Sequence, residues 1–297
     1  MGQQREFETV TDVFNDAIWL GMPEPRSEEW HALRADGIGG SEIGTIMGLN
    51  PWESAFKLWC KRTGQIADPP LDNWAVKFGN AFENPILQMW QAENPEWDVY
   101  LTGTWRHPEY RFMHANPDAV AENRDTGEWI VVEVKTSRSF WDEVPPAYRA
   151  QVLHYMDVMH LERGVIVGVA GWNWEEHYIE WDQFEVDAQR SHAKRFWEHV
   201  QKHVQPMWDG SKSTYEAQRQ LNPDITDDEI ELGDLGARLL QAQLAFEDAE
   251  KDLMALKSEV LGVMGSARHG LIAGERVTSR QSRGKGAPWL VIKKGKQ

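Results

Sequence analysis

Apolar positions recur at helical spacing along residues 75–93 (Val76, Phe78, Phe82, Ile86, Leu87, Trp90), which predicts a mostly buried helix over Ala75–Glu93. Four strand-length runs follow, at Val99–Trp105, Arg111–Ala115, Ala119–Glu122 and Trp129–Lys135. Pro145 and Pro146 interrupt the pattern, and a helix is expected from about Ala147 to His160. Strands are then expected at Val165–Val169 and His177–Trp181, and a helix from about Asp187 to Val204. An antiparallel meander, a crossover helix and further strands predict an α/β (α+β) domain with a mixed central sheet flanked by helices.

The pattern changes past Trp208. Fifteen of the sixteen tryptophans lie at or before that residue, and large aromatics supply core burial, so residues 1–208 are expected to form the main domain. Residues 209–233 are polar and read as a connection. Thr226 and Glu229 make a capping box, and a long heptad helix is expected over 234–265. Within it Leu239, Phe246, Leu253 and Val260 repeat every seven residues, and Ala242, Ala249, Leu256 and Val263 do the same three residues later. The partner of that stripe is either the Ala193, Phe196, Trp197, Val200, Val204 face of the same chain or a second subunit. Residues 266–297 are expected to form a small basic hairpin, Glu275–Ser279 with Trp289–Ile292, and a tail.

Charge sharpens this division. The chain has 297 residues and a net charge of −16, yet its last thirty residues hold eight basic side chains against Glu275 alone. That segment therefore carries +7 and residues 1–267 carry −23, a split that marks either a basic interaction tail or a merely solvated one. Hydrophobic residues at 41% and charged residues at 26% describe a folded chain able to bury a large core. The single Cys60 excludes an intrachain disulfide and thiolate-cage metal sites, and it is expected to be a buried spectator. No apolar run reaches the roughly 18 residues of a membrane span, and the first residues lack a signal-peptide pattern. A cytoplasmic setting is the expectation.

The chemistry concentrates in Pro117-Asp118 and, fourteen residues on, Glu133-Val134-Lys135. Alternation along a strand puts Glu133 and Lys135 on one face and Val132 and Val134 on the other. A carboxylate and an ammonium inside WIVVEVK are costly to bury unless something needs them. A divalent cation meets that need: Asp118 and Glu133 are hard oxygen ligands for Mg²⁺, and the Val134 backbone carbonyl offers a third. Lys135 would then hold or activate a water for attack on a phosphate. The plainer reading is an exposed Glu–Lys pair on an edge strand. Gly79 and Glu83, and Gln151 and Tyr155, stand four apart on expected helices, each a candidate site face or a solvated one. Arg34 precedes Gly37-Ile38-Gly39-Gly40-Ser41, a glycine-rich turn in which Ser41 is expected to N-cap the next helix and cradle a phosphate.

Taken together, EEWHALRADGIGGSEIG (28–44), GNAFENPILQMW (79–90), HANPDAVAE (114–122), VVEVKTS (131–137) and AYRAQVLHYMDVM (147–159) resemble the lambda-type phage exonucleases. These are alkaline exonucleases, or viral recombinases, of the PD-(D/E)xK nuclease superfamily. The resemblance implies a restriction-endonuclease-like core and digestion of linear double-stranded DNA from its 5′ ends. It implies two Mg²⁺ ions, with Mn²⁺ as a substitute, and a single-strand annealing protein as partner. It also implies a homo-oligomer, a ring of three. By motif position, Asp118 and Glu133 would be metal ligands, Lys135 the catalytic lysine, and Glu83 a carboxylate at or near the second metal. Gln151 and Tyr155 would complete the catalytic set, while Arg34, Ser41 and Asn116 would bind the 5′ phosphate and DNA. The chain departs from the family where Asn116 and Ala119 replace the usual Ser and Gly around Pro117-Asp118. An endonuclease on the same fold and a non-catalytic DNA-end-binding module are the competing readings. The three intact residues Asp118, Glu133 and Lys135 speak against the second of these.

Overall fold

The computed structural model describes residues 7–67 other than 12, 13, 15, 25 and 26, together with 73–282, 284 and 286–293. Two compact units divide at Ile225/Thr226. The first opens with β1 (Glu8–Thr9), β2 (Ile18–Gly21), α1 (Glu28–Ala35), β3 (Ile38–Gly39), α2 (Gly40–Ile46), α3 (Ala55–Arg62) and α4 (Trp74–Glu93). The meander follows: β4 (Trp97–Leu101), β5 (Thr104–Arg106), β6 (Met113–Ala115), β7 (Ala119–Asn123) and β8 (Trp129–Ser137). Then come α5 (Pro146–Met159), β9 (Arg163–Ala170), β10 (Asn173–Glu180), α6 (Gln183–Gln201) and α7 (Lys212–Leu221).

The main sheet has the order β1-β4-β7-β8-β9-β10. β8 and β9 run parallel, because α5 carries the chain back across the sheet between them, while β4, β7 and β8 pair antiparallel. Period-two alternation on β8 sorts its side chains between two layers. Ile130, Val132 and Val134 pack with Ile86, Leu87 and Trp90 of α4. Val131 packs on the opposite face with Val152, Leu153 and Met156 of α5. Glu133 and Lys135 therefore share the α5 face, as the sequence pattern predicts. A smaller sheet, β2-β5-β6-β3, lies beside this core.

Several expectations are corrected. The run Val99–Trp105 is broken at Thr102-Gly103 into β4 and β5, which belong to different sheets. The helix expected to be mostly buried is so only in its second half: Phe78 and Phe82 are exposed and stack on each other with ring centroids 4.3 Å apart. Residues 209–225 are not simply connection. Ser213 and Thr214 of α7 hydrogen-bond Ser54 at the N-cap of α3, which draws this segment into the first unit. Cys60 is buried, as expected of a spectator, and burial pushes its thiol pKa up.

The second unit holds α8 (Gly233–Met264), followed by β11 (His269–Ile272), β12 (Glu275–Gln281) and β13 (Trp289–Ile292) in one three-stranded sheet. The expected hairpin thus gains a strand. Ala273 and Gly274, both at positive φ, close a tight turn ahead of β12, a signal hidden in an alanine that rarely adopts this conformation. No residue of α8 is buried, and its heptad positions Leu239, Phe246, Leu253 and Leu256 are all exposed. Arg283, Lys285, Lys294 and Lys296 of the basic tail lie outside the described residues.

One buried polar group gives the first unit a measurable acid sensitivity. His107 accepts N–H bonds from Glu109 and Tyr110 at Nδ1, and its Nε2 lies 3.8 Å from Asp157, which Arg190 already holds through two bonds. Burial lowers the His107 pKa to about 4, with Asp157 opposing. The unfolded chain therefore takes up the proton first, and stability is lost as pH falls from about 6.5 towards 4. Urea unfolding at pH 5 should show roughly 1–2 kcal/mol less stability from this group than at pH 7. His107→Asn, which keeps a side-chain acceptor, should flatten that part of the dependence.

Candidate nuclease site

The site forms where β7 starts and β8 passes beyond it. The last β7–β8 rung pairs Ala119 with Val132, so Asp118 and residues 133–135 emerge past the paired ladder. Asp118 accepts the Val134 N–H at 2.7 Å. A strand residue sends its N–H and C=O to the same side, so the Val134 carbonyl also faces Asp118.

Glu133 is only 2% exposed and sits on an interior strand, which rules out the edge-strand ion pair as its explanation. Its Oε1 accepts from Lys135 Nζ at 2.5 Å and from Gln151 Nε2 at 2.6 Å. Its Oε2 is buried with no hydrogen-bond partner among the described residues. A carboxylate oxygen so placed is expensive unless a ligand completes it. Gln151 also donates to the Tyr155 hydroxyl at 3.0 Å, so the i, i+4 pair on α5 forms a bracket for Glu133.

Glu83 approaches from α4. A Cβ on Gly79, one turn earlier, would lie 3.7 Å from Thr136 Oγ1, so this stretch of α4 runs close along β8. Burial first, then the charge of Glu133, raises the Glu83 pKa against the pull of Lys135. Asp118 is held well above the usual carboxylate range by burial and by Glu133 and Glu83. Burial works against the Lys135 ammonium, but Glu133 and Asp118 outweigh it and raise its pKa. Lys135 is thus a charged donor. Burial and Glu133 likewise hold Tyr155 well above its ordinary value, as a neutral phenol.

Three acidic groups facing one ammonium, with an orphaned carboxylate oxygen among them, fit a hard divalent cation. Among the described residues no three metal-ligating side chains form a ready-made cage. Asp118, Glu133 Oε2 and the Val134 carbonyl are the oxygens that could hold a divalent cation, with Glu83 beside them.

A small cavity is lined by Trp30, Leu33, Arg34, Gly39, Arg62, Thr104, His114 and Asn116. It brings Arg34 and Asn116 together; Ser41 is exposed and is not among the lining residues. Thr104 Oγ1 donates to Asn116 Oδ1 at 3.0 Å, which leaves the Asn116 amide N–H groups for another acceptor. Arg34 stacks over Trp30 at 4.7 Å. Ser41 does not cap α2. Gly39 is the N-cap, and its N–H donates to Glu42 at 3.0 Å.

The glycines also play a different part from the one expected. A Cβ on Gly40 would overlap the Tyr155 ring, so this glycine seats α2 directly on α5; Gly44, one turn on, does the same, since a Cβ there would meet Ala147 Cβ at 2.9 Å. Gly37 is closed in by His114 and the Phe112 carbonyl at 2.6 Å. Gly39 alone lines the cavity. Sequence reasoning missed Arg62, which binds Glu42 through two nitrogens and donates to the Arg34 carbonyl at 2.5 Å. The signal was the Gly39-x-x-Glu42 box, whose glutamate needs a cation once buried.

The mixed sheet thus brings Asp118, just ahead of β7, beside Glu133 and Lys135 on the neighbouring β8. Residues 29–162 match the YqaJ-like viral recombinase domain. Protein YqaJ of Bacillus subtilis, whose own role is uncharacterised, is 28% identical over 266 residues, covering 84% of this chain and 82% of that protein. Protein D345L of African swine fever virus is 32% identical over 76 residues, 26% of this chain and 20% of its own. In fold, the chain is similar to the alkaline exonuclease LHK-Exo of Laribacter hongkongensis. The TM-score is 0.50 at 19% identity, over 60% of this chain and 94% of that one.

Proposed function

We propose that the protein is a Mg²⁺-dependent deoxyribonuclease that degrades linear double-stranded DNA 5′→3′ from phosphorylated ends, leaving 3′ single strands for recombination by annealing. The observation that carries this reading is Glu133: one oxygen is locked by Lys135 and Gln151 and the other is buried without a partner among the described residues. The likeness of fold to an alkaline exonuclease supports it, as does the match of residues 29–162 to a viral recombinase domain. Two ions are proposed, with Mn²⁺ able to replace Mg²⁺.

A bound cation would polarise the scissile phosphate and acidify a water. The chain's own residues do the rest. Gln151 and Lys135 fix the Glu133 carboxylate, and the charged Lys135 donates to the attacking water or to a phosphoryl oxygen as negative charge builds there. Water adds to phosphorus and the P–O3′ bond breaks, which releases a mononucleotide with a 3′ hydroxyl. The shortened strand keeps a new 5′ phosphate. Arg34 and the Asn116 amide are the donors for that phosphate, so each turnover remakes the group the cavity binds.

We further propose a homo-oligomer, a trimeric ring, working with a single-strand annealing protein in the cytoplasm of a bacterial host. No helix among the described residues is long and apolar enough to cross a membrane.

The test uses linear duplex with 5′ phosphates, the same duplex with 5′ hydroxyls, and closed circles, each with Mg²⁺. Phosphorylated linear duplex should disappear while circles survive, and EDTA should stop the reaction. Arg34→Ala should lose most of the preference for phosphate over hydroxyl, a change of about tenfold to a hundredfold in kcat/KM for the loss of one charge-assisted contact. Cut circles would point to an endonuclease. Binding without cleavage would point to an end-binding module.

A further inference from the structure

We propose that the C-terminal unit carries a second, non-catalytic DNA site, a basic sheet that grips the sugar–phosphate backbone of duplex DNA. Residues 1–267 carry −23, so a polyanion meets net repulsion from most of the chain. The sheet of β11, β12 and β13 is built the opposite way. From Arg268 to Gln297 the sole acidic residue is Glu275.

Geometry turns this charge into a surface. His269, Ser279 and Val291 stand in register across the three strands, and Lys293 follows Val291 at the same-face spacing, while Thr278 and Arg276 hold the alternate positions of β12. A cavity of about 330 Å³ opens there, lined by His269, Arg276, Thr278, Ser279, Val291 and Lys293. Thr278 donates its hydroxyl to the Val291 carbonyl, so two cations, an imidazole and the Ser279 hydroxyl, with no carboxylate, make the anion-binding lining. Among the described residues neither Arg276 nor Lys293 stands in an ion pair. A repeating phosphate backbone matches this charge better than a single small anion would, because Arg268, Arg276, Arg280 and Lys293 are spread along the sheet. Such contacts hold DNA without regard to sequence, which suits an enzyme that must stay on a substrate as it shortens it.

The probe is a dumbbell duplex of about 30 base pairs, which has no free ends, bound in EDTA by the full chain between 50 and 200 mM salt. Wild type should bind with affinity that falls steeply with salt. Arg276→Gln with Lys293→Gln should weaken binding at least about tenfold at the low-salt end and reduce the slope of log K against log salt by about 1.8. Arg276→Lys with Lys293→Arg should retain most of both, and unchanged circular dichroism and Tm certify the fold. Equal affinity and slope in the Gln variant would overturn the proposal. So would a variant that binds DNA normally but loses salt-sensitive self-association in sedimentation, since the sheet would then serve an acidic face of a second copy. Because binding is read without metal or ends, the proposal stands if cleavage is never found, and it fails alone if linear duplex is degraded but the dumbbell is bound equally by both variants.

Discussion

Lys135→Ala is expected to lower the single-turnover rate on phosphorylated linear duplex by about 10²–10⁴, with duplex affinity changed by less than about threefold. Lys135 is positioned by Glu133 Oε1 at 2.5 Å and lies 5.2 Å from the Tyr148 ring centroid. Its charge is one of many that duplex DNA meets, so binding is spared. It is the ammonium held at the Glu133 carboxylate, so the chemical step is not. Lys135→Arg should recover little, because a planar guanidinium does not replace a point donor bracketed between Glu133 and the Tyr148 face. Removing the ammonium leaves Glu133 buried with only the Gln151 amide, so some loss of Tm accompanies the change; assays well below the midpoint separate the two effects. A variant that keeps more than about a tenth of the wild-type rate would remove Lys135 from the chemistry.

The second large effect is at a residue with no chemistry of its own. Gly40→Ala should destabilise the protein by about 1–3 kcal/mol, a fall in Tm of roughly 2–10 °C for a chain of this size. The added methyl collides with the ring of Tyr155, which is only 4% exposed and has no room to withdraw. Displacing that ring disturbs Gln151, which bonds both Tyr155 and Glu133, so activity at permissive temperature should fall as well. Gly48→Ala provides a contrast. Its φ of +73° makes alanine strained there, but a Cβ would meet nothing within 4 Å, so stability should suffer without a selective loss of turnover. Thermal melts and single-turnover rates on the two variants distinguish the cases.

Gly40 shows where sequence reading reaches its limit. The alternation in WIVVEVK is enough to predict that Glu133 and Lys135 share a face, because the pleat fixes side-chain direction locally. The i, i+4 spacing likewise puts Gln151 and Tyr155 together on α5. What each pair faces is a matter of topology. Only the parallel β8–β9 crossing lays α5 over Glu133, and this makes Gln151 a bracket for that carboxylate. Gly40 resembles part of a phosphate loop in sequence and turns out to be a contact point between helices, since a missing side chain looks the same in either role. Arg62 was invisible for a related reason: its partner Glu42 is twenty residues away and lies on another helix. In α4, Phe78 and Phe82 fit the apolar stripe, but among the described residues no second layer covers them and both are exposed.

The most direct test of the central claim is the fate of label on a phosphorylated linear duplex in Mg²⁺, placed on the 5′ end in one sample and on the 3′ end in another. An enzyme that admits a 5′ phosphate beside Arg34 and hydrolyses the next phosphodiester at Glu133 and Lys135 releases the 5′ label first, as mononucleotide, while the 3′ label stays in long strands. Early release of the 3′ label, or of internal fragments from either sample, would contradict the account.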